Sequence, residues 1–271
     1  MSIDRIAIPD VLGRPRDHVV ICTFGADLAF YEGPLWRHIT RARNRVILAD
    51  DAMLARQLSD LAAGGSRLRH VNINYLAAPI TNTASAHAKF ILLADATGGT
   101  LLVGSGNVSI EGYASRGEVF CRYDVNGNDT EHLAAFHAVK DLLDTMAARG
   151  YLDPQVRTHL DHMWSSTSWI WAAAPAGTAP VRHNLTTPLA EQLTAAIAGE
   201  PVLDLVVHAP FTTPIARPSA ASSTRSAQRR SPCSCRRGER RRTLPRSPSA
   251  APFSPCHPPC PDIRASAGTT R

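Results

Sequence analysis

The chain has 271 residues, of which 44% are hydrophobic, enough for one large or two modest domains with a genuine core. No apolar window approaches the ~18–20 residues a membrane span needs, and the N-terminus shows no basic region followed by an apolar run. These features exclude an integral helical membrane protein and lead to the expectation of a soluble, cytoplasmic protein.

The net charge of +6 is unevenly placed. Residues 217–271 hold twelve Arg, no Lys and two acids (Glu239 and Asp262), whereas the first 216 residues sum to −4. A nucleic-acid argument from overall charge is therefore unsafe. The chain has 27 Arg but only two Lys, Lys89 and Lys140. With so strong an arginine bias, a retained lysine points to a chemical need.

In chain order, DHVVICTF (17–24) reads as a buried strand. Residues 27–42 read as mainly helical, interrupted at Gly33-Pro34. RVILAD (45–50) is a second buried strand, followed by an amphipathic helix over 51–63 that Gly64-Gly65 stops. Residues 66–79 alternate as a third strand. HAKFILLAD (87–95), a Gly98-Gly99 turn and TLLVGS (100–105) read as a β-hairpin, and GEVFCRYDV (117–125) as a further strand. A long helix is predicted over 129–149, with Gly150 past its end. The alternation of strands and helices gives an α/β class with a mixed, mostly buried sheet flanked by helices.

Beyond residue 150 the pattern loosens into a helical and linker segment (151–200) that holds three of the four Trp and a predicted helix over 186–200. PVLDLVVHAPFT then begins a new apolar strand within 201–216, like the opening of a second copy of the domain. Residues 217–271 contain only three large apolar side chains (Leu244, Phe253 and Ile263), too few to offset ordering entropy, so a disordered tail is expected. Two readings of that tail stand: a basic arm for nucleic acid, or a GC-rich gene read out of frame. The interrupted strand favours the second, and with it a truncated chain. Cys233, Cys235, Cys256 and Cys260 in the tail lack the spacing of a structural zinc site, and Cys22 and Cys121 read as plain thiols on strands.

The chemistry concentrates in SAHAKFILLADATGGTLLVGSGN (85–107). Alternation puts His87 and Lys89 on one face, while the facing strand runs into Gly104-Ser105-Gly106-Asn107. An imidazole, an ammonium, a hydroxyl and an amide at one sheet end suit an oxyanion such as a phosphodiester. Lys89 and Asn107 would neutralise and hydrogen-bond the non-bridging oxygens, and His87 would attack phosphorus or move a proton.

These residues resemble the phospholipase D superfamily, whose signature is H-x-K, an Asp a few residues on, then G-S/G-x-N. His87, Lys89, Gly104, Ser105 and Asn107 match it, and the upstream layout resembles its bacterial nuclease-like branch. The resemblance covers roughly residues 17–150 and implies a phospholipase D-like domain over 1–150. It further implies a metal-independent phosphodiesterase acting through a phosphohistidine on nucleic acid or phospholipid, with no cofactor and two motifs per active site. Catalytic roles fall on His87, Lys89, Asn107 and Glu118, and substrate contacts on Ser105, Gly104, Lys89 and Asn107. Glu118 stands where the family has a carboxylate that holds a catalytic histidine. Asp95 stands one place late for the family's Asp, so it reads either as a functional carboxylate carried round by a bulge or as a turn acid. Only one H-x-K occurs, so activity would require a homodimer that pairs two copies of His87. The alternative is an inactive remnant that binds phosphate or nucleic acid weakly.

Overall fold

Apolar residues alternate along five successive strands, and the computed structural model uses both sets, covering the sheet with helices on each face. The structure describes residues 6–82, 84–114, 117–127, 129–173, 180–199 and 201. The strand expected over 201–216, beyond Pro201, and the Arg/Ser/Pro-rich tail with its four cysteines lie outside the described residues. Among the described residues, no helix is long and apolar enough to cross a membrane.

The sheet has six strands: β1 (His18–Thr23), β2 (Asn44–Asp50), β3 (Leu76–Ile80), β4 (Phe90–Asp95), β5 (Gly98–Gly104) and β6 (Phe120–Asn126). Their order is β3-β2-β1-β4-β5-β6. β1, β2 and β3 run parallel, and β4, β5 and β6 continue by antiparallel pairing from β1. The sheet is mixed, as the sequence implied.

One face carries Val20, Cys22, Val46, Leu48, Phe90, Leu92 and Leu101. Helix α6 (Leu133–Ala148) packs on it through Phe136, Val139 and Leu143, beside α7 (Pro154–Ser166) through Val156, Leu160, Met163 and Trp164. The other face carries Val19, Ile21, Ile47, Ala49, Ile91, Leu93 and Leu102. Against it lie α1 (Ile8–Leu12), α2 (Leu28–Phe30) and α3 (Trp36–Ile39) with a tight turn between them, α4 (Asp51–Ala63) and α5 (Ile110–Ala114). Each interior leucine or isoleucine placed there contributes about 1.5–3 kcal/mol of burial.

The interruption expected at Gly33-Pro34 is present, as a π-helical turn at Tyr31–Leu35 with Pro34 inside it, because proline has no N–H to continue the regular ladder. Other boundaries differ from the sequence-based expectation, each for a physical reason. The strand read over 66–79 is reduced to Leu76–Ile80. Its first half is a loop whose His70 and Val71 N–H groups, at 3.0 and 2.9 Å, are held by the Glu32 carboxylate instead of a neighbouring strand. In the hairpin, Gly98 and Gly99 lie inside β5, and the turn falls at Ala96-Thr97. A Cβ at Gly98 would sit 2.1 Å from the Val125 carbonyl oxygen, so close pairing with β6 requires the glycine there.

α7, within the segment read as helical or linker, is tied to the start of β1 by a polar cluster. Asn44 donates to the His159 carbonyl oxygen at 2.8 Å, and its Oδ1 lies 2.6 Å from His159 Nδ1. His18 bridges Asn44 and the Ser166 hydroxyl at 3.1 and 2.7 Å. Burial first, then the charge of His162, holds the His18 imidazole below its ordinary pKa, favouring the neutral ring. The edges of the sheet are β3, which contains Pro79, and β6, which carries an Arg122–Asp124 ion pair at 2.7 Å.

Candidate active site

The hydrogen-bonded register brings Cys22, Phe90, Val103 and Cys121 side by side across four strands. Whatever follows β1, precedes β4, follows β5 and precedes β6 therefore meets at one end of the sheet. Those flanking residues are Phe24 and Gly25, then His87 and Lys89, then Ser105 and Asn107, and Glu118. Asp50 ends β2 at the same end.

The strand begins at Phe90, so His87 and Lys89 lie just before it. Their side chains still meet: Lys89 Nζ lies 3.1 and 3.3 Å from the two ring nitrogens of His87 and donates to the His87 carbonyl oxygen at 3.2 Å. Lys89 is buried, with 7% of its surface exposed. The Phe24 ring covers both groups, 4.7 Å from the His87 ring centroid and 5.7 Å from Lys89 Nζ. Burial and then the Lys89 ammonium push the His87 imidazole below its ordinary pKa, while Asp50 pulls it up. Burial likewise lowers Lys89, opposed by the nearby Glu118 carboxylate and by Cys22.

Asn107 is locked against the end of β1. Its Oδ1 accepts from the Thr23 hydroxyl and from Gly25 N–H, each at 3.2 Å. Among the described residues none accepts from its Nδ2. The turn that presents it needs Gly112, where a Cβ would fall 2.0 Å from the Asn107 carbonyl oxygen. Ser105 donates its hydroxyl to the Glu118 carboxylate and accepts from Val119 N–H at 3.1 Å. Glu118 thus reaches Ser105 in this chain and not the His87 ring. Gly104 closes β5, its N–H donating to the Lys89 carbonyl oxygen at 3.1 Å.

Asp95 lies elsewhere. It ends β4, five strand steps beyond Phe90, or about 17 Å at the usual rise. There it accepts from Arg16 at 2.8 Å, from the Thr97 N–H and hydroxyl at 2.7 Å each, and from Gly98 N–H at 3.2 Å. Those donors hold its carboxyl below the ordinary carboxylate range despite burial. The geometry is that of a turn acid.

Two residues that sequence reasoning passed over belong to this end of the sheet. In the sequence Phe24 is only the close of an apolar run, and Asp50 only the boundary between strand and helix. The acid before a helix signals a cap, and nothing local in the sequence tells that it also faces the loop before His87. A cleft of about 510 Å³ opens beside His87 and Lys89, walled by Val103, Leu142, Met146, Tyr151 and Leu185, within the usual size range of small-molecule sites. Among the described residues, no group of three or more His, Cys, Asp or Glu side chains is arranged to hold a metal ion.

No family model matches the chain, and no curated protein matches it in sequence. Solved structures do. The yeast tyrosyl-DNA phosphodiesterase is similar over 58% of this chain at 15% identity and a TM-score of 0.36, and the chain spans only 38% of that protein's length. NucT from Helicobacter pylori is similar over 59% of the chain at 12% identity and a TM-score of 0.32, with 86% of its own length covered. Nuc from Salmonella typhimurium, a phospholipase D family member, is similar over 54% at 12% identity and a TM-score of 0.32, again with 86% of its length covered.

Proposed function

We propose that this chain is half of a phosphodiesterase active site, with His87 as its nucleophile. The observation that carries the reading is the meeting of His87 and Lys89 with Asn107 and the Ser105–Glu118 pair at one end of the sheet. A nucleophilic imidazole must be neutral, and burial beside an ammonium favours that state. One ring nitrogen of His87 attacks phosphorus, a P–N bond forms, and the P–O bond to the leaving group breaks. Lys89 Nζ and Asn107 Nδ2 hold the non-bridging oxygens, whose charge grows in the transition state. The leaving oxygen takes a proton from a second histidine, which then removes a proton from the water that cleaves the P–N bond. This sequence holds one H-x-K, and in this reading the second histidine comes from a second copy, as its own His87, in a homodimer.

The test is hydrolysis of bis(p-nitrophenyl) phosphate in the presence of EDTA. The wild-type chain turns over, and His87→Ala loses at least ~10²-fold, the lower range for removing acid–base help alone. Activity that survives His87→Ala, or that EDTA abolishes, overturns the reading.

The resemblance of the upstream layout to the nuclease-like branch favours a nucleic-acid substrate over a phospholipid. The apolar cleft beside His87 favours a second reading, a phosphodiester that carries an apolar group. Comparing a short oligonucleotide with phosphatidylcholine vesicles separates the two. The single motif also supports a non-catalytic alternative, weak binding of phosphate or nucleic acid. That alternative predicts salt-sensitive binding of the oligonucleotide with no turnover at any protein concentration.

A further inference from the structure

Asp50 ends β2 with a buried carboxylate whose two oxygens serve different elements. Oδ1 accepts from Met53 N–H at 3.2 Å and caps α4. Oδ2 accepts from Ala86 N–H at 2.9 Å, one residue before His87 and across 36 positions of chain. Capping needs only one oxygen, and serine or asparagine would do it about equally well. The second oxygen is therefore what the loop before β4 uses. Residues 84–88 have no strand pairing of their own, so their backbone depends on contacts of this kind. The Ala86 anchor fixes where the chain enters β4 and hence where the next side chain stands.

We propose that Asp50 is a positioning residue for His87, holding the histidine loop through Ala86 N–H and setting the charge that His87 feels. This deepens the phosphodiesterase reading and rests on it for its consequence in catalysis. The charged groups that act on His87 are the Lys89 ammonium just before β4 and the Asp50 carboxylate at the end of β2, with Glu118 before β6 acting on Lys89, and Arg182 and His183 line the cleft beside it. Asp50 is the group that opposes Lys89. Without it the imidazole is left to burial and the ammonium, both of which disfavour its protonated form.

The experiment uses Asp50→Asn and Asp50→Ser in the full chain, since both keep an acceptor for the α4 cap. The His87 ring resonances, assigned by their loss in His87→Ala, are titrated by NMR. In both variants the His87 midpoint moves to lower pH than in the wild-type chain. Hydrolysis of bis(p-nitrophenyl) phosphate falls about ten- to a hundredfold in kcat, the scale of a misplaced reacting group, with KM little changed. An unmoved His87 midpoint in a folded variant overturns the proposal and leaves Asp50 a helix cap. So does a loss of melting temperature with an unchanged pH profile. The titration requires no turnover, so an inert wild-type chain would defeat the phosphodiesterase reading while the positioning of His87 is still read.

Discussion

Burial and the adjacent ammonium act on His87 in the same direction, and this makes its titration a report on Lys89. Replacing Lys89 by methionine keeps most of the side-chain volume and removes the charge. The His87 midpoint, held below 6.5 in the wild-type chain by burial and Lys89, should then rise towards that ordinary value in an NMR titration. The sign follows from removing a like charge, and a fall would show that the ammonium does not govern the ring. In the proposed mechanism the copy of His87 that attacks must be neutral and the copy that serves the leaving oxygen must be protonated, so a pH–rate profile should fall on both sides of an optimum, with the limb of the nucleophile displaced below the ordinary imidazole range. At this scale the sequence was informative about identities more than about partners. H-x-K and GSGN located four groups that the strand register sets at one end of the sheet. It did not reveal that Glu118 would take Ser105 as its partner, that Asp50 would reach Ala86, or that Phe24 would cover both His87 and Lys89. Each of these depends on which strand ends are neighbours, and that is information of the folded sheet.

The secondary-structure elements divide by how strongly their local signals agreed. β2 and α4 were legible almost to the residue, because an apolar β-branched run ends at an acid that caps the following amphipathic helix. The hairpin was legible in kind but not in register, since its glycines answer to the approach of β6 and not to the turn. α7 was not read as a separate helix, although Val156, Leu160, Met163 and Trp164 recur at helical spacing. The tryptophans and the small-residue stretch that follows it masked that period. The helix at Ile110–Ala114 matters most to the site, because its Gly112 backs directly onto Asn107. Gly112→Ala must push backbone apart, an overpacking cost of about 1–3 kcal/mol. Urea denaturation should show that loss, and hydrolysis should fall with it as Asn107 shifts. A variant of unchanged stability would mean that this turn has room the geometry does not show.

At the scale of the whole molecule, the proposed reaction calls for two histidines, and this sequence holds one H-x-K. If two copies supply them, inactive chains must spoil active ones. Mixing wild-type protein with an excess of His87→Ala and allowing exchange should lower activity as the square of the wild-type fraction. A linear fall would mean that each chain works alone. The α/β class and the mixed sheet were legible as a whole, since the alternation of elements leaves few arrangements. The strand order and the packing of α7 against the β1 end were not, because the first depends on β1 pairing with β4, where His18 and Ala94 are partners, and the second on contacts between residues more than a hundred positions apart.

The two rims of the sheet bear on how such copies would meet. Pro79 leaves the β3 rim short of a hydrogen-bond donor, and the Arg122–Asp124 pair sets charge along β6. Both are devices that discourage a further strand from adding on. Copies of this chain are thereby steered away from lateral growth into continuous ribbons, a route open to many mixed sheets. The turns that gather His87, Lys89 and Asn107 lie at the strand ends, away from both rims. A protein built this way can bring its reactive groups towards a twin without also offering that twin a template for aggregation.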